Sequence, residues 1–198
     1  MVLIWLRGNW LQSKLAVLFE VSQASVLRLI RFLVPVLACL HANEIPDSKE
    51  EFLLDGTLIT VADHGVANFT GKHQRQVNVQ VVCDAGKRMV FVGDALLGSR
   101  HDVRAARESV PVGPKYKTDG AYKSFPSVVL PPKSGRARWR HNGVRVRVEQ
   151  VIGHLKSWRT LRFCRVRGLV DEVVQAVAFL YYLKFDLVKL TVDGLTFE

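Results

Sequence analysis

The run FLLDGTLITV, residues 52–61, decides how the chain is read. It is apolar and closes on β-branched residues, the composition of a strand buried in a sheet, yet Asp55 stands inside it. A carboxylate taken from water without a partner is costly. Asp55-Gly56 is also a turn dipeptide, but the apolar residues on both sides favour a carboxylate kept for its chemistry.

Outward from this run, RQVNVQVVC at 75–83 alternates polar and apolar residues, the pattern of a half-buried strand. The turn DAGK at 84–87 leads into a further strand at 88–94. GSRHD at 98–102 opens a helix, with Ser99 or Asp102 available as its cap. A short strand at 115–118 delivers Asp119, another follows at 128–130, and two long helices begin near 142 and near 170. Three antiparallel strands, a helix, a strand and further helices give an α/β chain in the order of the ribonuclease H-like fold, with a mixed five-stranded sheet and helices. Crossovers between parallel strands are right-handed and short, so the Asp119 strand is expected beside the Asp55 strand.

Before this domain, apolar residues repeat at helical spacing over 11–19 and 25–40, and Ser22 is a suitable N-cap for the second helix. The pair suggests a small all-α helix-turn-helix whose second helix shows Gln23, Ser25, Arg28 and Arg31 to DNA. Glu20 departs from that pattern, since such turns carry Gly, and a helical hairpin packed on the main domain is the alternative. The expected division is a helix-turn-helix module at 1–42, a linker at 43–51 containing Pro46, a catalytic domain at 52–190 and a tail at 191–198.

Lys and Arg number 28 against 18 Asp and Glu, a formal charge of +10 among 198 residues. Such an excess favours polyanions, nucleic acid above all. The stretch 133–167 is basic throughout, includes Arg138 and Arg140, and is interleaved with Trp139 and Trp158; no amphipathic lipid-facing segment accompanies it. Three dispersed cysteines imply neither a disulfide framework nor a zinc site. The apolar opening is short and interrupted by Arg7, and the apolar run near 173–183 is too short for a bilayer, so the chain reads as soluble.

Near the C-terminus, Asn142, Arg145, Glu149 and Lys156 have two, three and six residues between them. On one helix they fall within an arc of roughly 60° over about 21 Å. A carboxylate between two cations suits a metal ligand at Glu149, an orienting Arg145 and a phosphate-facing Lys156; an exposed helix with chance charges has the same spacing.

The blocks FLLDGTLITVADHG, GSRHD, KTDGAY and RVRVEQVIGHLKSWR, in this order, resemble those of bacterial insertion-sequence DDE transposases, in the branch grouped with Harbinger-type nucleases. The resemblance covers the chain from about residue 53 to the C-terminal helices. It implies that Asp55, Asp119 and Glu149 are the catalytic triad and the ligands of two Mg²⁺ (or Mn²⁺) ions, which suit crowded oxygen ligands. It also implies cleavage and strand transfer of double-stranded DNA at element ends and target site, no membrane partner, and a bacterial, nucleoid-associated cytoplasmic protein; a homo-oligomer is left open. Asp102 is the alternative second carboxylate, although its place at a helix start favours capping. His101 beside it suits orienting a backbone or a carboxylate better than binding metal. Lys72, His73 and Arg75 form either a DNA-facing edge or a solvated hairpin end. The interval from Asp119 to Glu149 is shorter than is usual in such enzymes, so the second reading is a truncated, inactive or domesticated DNA-binding remnant.

Overall fold

Strand β1 (Glu51–Val61) runs through the middle of a mixed sheet, as its apolar composition requires. Residues 1–43, 50–62, 68–69 and 75–193 are described by the computed structural model, with side chains to residue 184 except those of 68 and 69. Strand β2 (Asn68–Phe69) precedes β3 (Arg75–Cys83), which pairs antiparallel with β1 from Leu53 opposite Cys83 to Thr60 opposite Gln76. Strands β4 (Met89–Val92) and β5 (Leu96–Leu97) both add to β3.

Helix α4 (Asp102–Ser109) then crosses the sheet to β6 (Lys115–Lys117), which lies parallel to β1 on its other side, with Leu53 opposite Lys117. Strand β7 (Val128–Val129) continues parallel to β6, and β8 (Phe163–Cys164) joins the far end of β1. The five expected strands are present, and the short β2, β5 and β8 extend the sheet to eight among the described residues.

The alternation along β1 divides two cores. Phe52 and Leu54 face α4 with Val82, Tyr116 and Tyr122. Leu53, Ile59 and Val61 face the opposite way, beneath α5 (Gly135–Leu155) and α6 (Val170–Asp193). The half-buried reading of β3 needs correction: Gln76, Asn78 and Gln80 on the α4 face are buried as well. Their amides are hydrogen-bonded, so the polar half of the alternation marks an internal network and not solvent.

Helix α1 (Val2–Gly8), which the sequence reading did not anticipate, buries Trp5 and Leu6. After α2 (Gln12–Leu18) the chain bends by 105° into α3 (Gln23–Cys39). Ser22 caps α3 by accepting from the Ser25 amide at 3.0 Å, and Glu20 takes a left-handed φ of 54°, which costs a residue with a Cβ about 1 kcal/mol. Val26, Ile30 and Val34 of α3 are buried in the same core as α6, so the N-terminal helices share the larger core of the sheet domain. Most of the expected linker and the last five residues lie outside the described residues. No single helix among the described residues is long and apolar enough to cross a membrane.

Helix α5 begins at Gly135, seven residues before the expected start near 142. The Pro131-Pro132 pair ends the preceding segment, and the Ala and Arg that follow are good helix formers. Arg136, Arg138, Trp139 and Arg140 therefore stand exposed on its first turns.

Candidate active site

Asp55 occupies the centre of β1 on the face covered by α5, with its side chain 20% exposed. Its Oδ1 accepts from the Gly56 amide at 3.0 Å, and its Oδ2 accepts from a guanidinium nitrogen of Arg145 at 3.3 Å. Burial pushes its carboxyl up to about 6, against the pull of Arg145 and the Gly56 N–H, and Asp119 and Glu149 add to the rise. Asp55 thus senses two further carboxylates.

Asp119 follows β6. The β1–β6 ladder ends at Leu53 and Lys117, and its register carried on by two residues sets Asp119 beside Asp55 on the same face. The Asp119 Oδ1 accepts from the Ala121 amide at 2.9 Å and caps the 3-10 turn Gly120–Tyr122. His141 of α5, buried, donates from Nε2 to the Thr118 carbonyl at 2.9 Å and so ties α5 to the end of β6.

Helix α5 buries Val148, Val151 and Leu155, which leaves Glu149 at the margin with its side chain 55% exposed. Arg145 lies 3.9 Å from Glu149 and nearer to Asp55, bridging the helix and the strand. Lys156 is the C-cap of α5 and donates from Nζ to the Leu58 carbonyl at 3.0 Å; burial, and then Arg162, hold its pKa below the usual lysine range. Asn142 is exposed.

Neither Ser99 nor Asp102 caps α4: His101 is the N-cap residue, exposed and making no side-chain cap bond. The capping expectation fails because the Asp102 Oδ1 is taken by the Asn78 amide at 2.8 Å. A groove of about 730 Å³ runs between Gly56–Leu58, the 98–103 segment and Ala121.

Gln23, Arg28 and Arg31 are exposed on α3, while the Ser25 hydroxyl is engaged with that of Ser22 at 2.8 Å. Arg28 folds back along its own helix to the Ala24 carbonyl at 3.4 Å, and Arg31 stands beside Arg167 around a shallow groove. Arg75 starts β3, and Lys72 and His73 lie outside the described residues. Arg138 donates to the Lys133 carbonyl at 2.9 Å, and Arg140 is exposed. Sequence reasoning missed Asn78, Gln80, Tyr122 and His141; the polar residues of β3 and the tyrosine of DGAY were the available signals. Among the described residues, no three His, Cys, Asp or Glu side chains are gathered closely enough to hold a metal ion as they stand.

The family described as DDE superfamily endonuclease matches residues 54–182. The chain belongs to the DDE superfamily endonucleases. This DDE endonuclease is 34% identical over 184 residues to the putative transposase for insertion sequence element IS112 of Streptomyces albus G, a match covering 85% of this chain and 71% of that protein. No solved structure matches it. The matched family segment of the endonuclease includes Asp55, Asp119 and Glu149.

Proposed function

We propose that this DDE endonuclease is an insertion-sequence transposase that binds element-end DNA and cleaves and joins phosphodiesters with Mg²⁺ or Mn²⁺. The sheet order β4-β3-β1-β6-β7, with β6 and β7 parallel to β1, supports a ribonuclease H-like catalytic domain. The observation that carries the reading is Asp55: a central-strand carboxyl raised to about 6, with Asp119 and Glu149 both adding to the rise. Such a group is held at a standing electrostatic cost that a divalent cation removes.

The donor set fits hard cations, since all three candidate ligands offer oxygen alone. Asp55, Asp119 and Glu149 would hold two ions, which when bound supply an activated water or DNA 3′-hydroxyl and stabilise the leaving oxygen. The chain's own part is placement. Arg145 holds Asp55 and draws Glu149 toward it, the Ala121 amide fixes one oxygen of Asp119, and His141 ties α5 to the strand end. Lys156, anchored on Leu58, would offer its remaining N–H groups to a phosphate. The 105° α2–α3 pair exposes Gln23, Arg28 and Arg31 as a DNA-reading helix, and the +10 charge supplies attraction independent of sequence.

The purified protein should nick DNA carrying its cognate ends only with Mg²⁺ or Mn²⁺. Asp55→Asn and Asp119→Asn should each abolish cleavage and leave binding intact. Cleavage in chelator, or full activity in either variant, would overturn the reading. The dispersed carboxylates favour one alternative, a DNA-binding remnant without turnover; it predicts binding and no cleavage with either ion.

A further inference from the structure

Beneath Gly56, on the face of the sheet opposite the Asp55 side chain, four side chains form one directed chain of hydrogen bonds. The Tyr122 hydroxyl donates to Gln80 Oε1 at 2.8 Å, the Gln80 amide to Asn78 Oδ1 at 2.8 Å, and the Asn78 amide to Asp102 Oδ1 at 2.8 Å. Tyr122, Gln80 and Asn78 are buried. Each link uses a donor against an acceptor, and the chain ends on a carboxylate, the strongest acceptor a side chain offers.

Its position gives it a task. Gln80 lies directly opposite Gly56 in the β1–β3 register, and Tyr122 ends the 3-10 turn that Asp119 caps. The backbone ladder between β1 and β6 stops at Leu53 and Lys117, two residues short of both aspartates. Beyond that point the Tyr122–Gln80 bond joins the Asp119 turn to the strand pair that carries Asp55. The network also lies tight against the backbone there: a Cβ on Gly56 would stand 2.7 Å from Asp102 Oδ1, 2.8 Å from Gln80 Nε2 and 3.1 Å from Tyr122 Oη.

We propose that Tyr122, Gln80, Asn78 and Asp102 are positioning residues that fix the spacing of Asp55 and Asp119, and that Tyr122 is their principal tie. The inference rests on the reading of those aspartates as ion ligands. Burial, and then Asp102, Asp55 and Asp119, hold the Tyr122 hydroxyl protonated well beyond its ordinary range, which keeps it a donor. Asp102 thereby acts from behind the site, through Asn78, in place of the cap that its sequence position suggested.

The test is Mn²⁺ binding to the full chain without DNA, followed by electron paramagnetic resonance. Asp55→Asn is the control for the site: if it binds Mn²⁺ as the parent does, the ligand reading itself fails, whatever Tyr122 does. With that control negative, Tyr122→Phe should weaken Mn²⁺ binding by about tenfold, the scale of losses when groups supporting a metal ligand are removed. Cleavage by Tyr122→Phe should show a lower kcat and an unchanged KM for DNA. The triple variant Tyr122→Phe, Gln80→Met and Asn78→Leu removes the three buried members together and orphans none of their bonds to one another, so stability lost in the single variant should largely return. Mn²⁺ affinity should remain low in it. Parent affinity in Tyr122→Phe, or parent affinity regained with stability in the triple variant, overturns the proposal.

Discussion

Replacing Asp55 with Asn should make the ion-free protein more stable at neutral and alkaline pH. The Asp55 carboxyl is raised from 3.8 to about 6 in the folded chain, a shift of about 2 units that corresponds to roughly 3 kcal/mol. Between pH 4 and pH 6 the folded chain keeps the Asp55 proton that the unfolded chain has released. The parent therefore loses stability as pH rises through that window and carries the whole cost above it. Asparagine has the shape of the protonated acid and no charge to desolvate, but its NH2 gives up the acceptor that Oδ2 offers Arg145, so the gain falls short of the full shift. In urea titrations with chelator at pH 8, Asp55→Asn should gain up to about 3 kcal/mol, or about 6–12 °C in Tm for a chain of this size. At pH 3.5 the gain should vanish. Equal or lower stability of the variant at pH 8, or a gain that persists at pH 3.5, would refute the claim that Asp55 is held ionised against its surroundings.

Glu149→Gln should abolish cleavage while moving the urea midpoint by no more than about 0.5 kcal/mol, because the side chain is largely exposed. Lys156→Ala should cost about 1 kcal/mol in the same titration through loss of the bond to the Leu58 carbonyl, and unchanged stability would place Lys156 on the surface instead. Arg28→Ala should leave stability unchanged and weaken binding of cognate ends by about 1–3 kcal/mol in a salt-matched titration if it reads a base; equal losses on all sequences would mark a phosphate contact. Gly56→Ala should destabilise by about 1–3 kcal/mol, since its methyl group has no room above Asp102, Gln80 and Tyr122.

The order of the sheet was legible because the apolar run at 52–61 and the alternation at 75–83 are strong local signals, and the crossover rule places the Asp119 strand beside β1. The same alternation concealed the network behind the site. Polar residues at every second position of a strand ordinarily mean water, and only the packing of α4 and Tyr122 over that face makes Asn78 and Gln80 internal. Helical spacing likewise put Arg145 and Glu149 on one stripe, but it carries no information about Asp55, ninety residues away, to which Arg145 lies closer. Lys156 shows where extrapolation along a helix stops: it is the C-cap, and the end of α5 turns its ammonium to a strand carbonyl. Helix α1 and the true start of α5 were missed because neither opens with a capping side chain that bonds the first turn.

The central claim is that Asp55, Asp119 and Glu149 hold the ions that cut DNA. Crystals of the full chain grown with Mn²⁺, measured on both sides of the manganese absorption edge, test it most directly. The account predicts anomalous density bounded by the carboxylates of Asp55, Asp119 and Glu149, with Asp102 still bonded to Asn78 on the opposite face. Density held by Asp102 with Glu149 turned away, or none beside Asp55 at millimolar Mn²⁺, would contradict it.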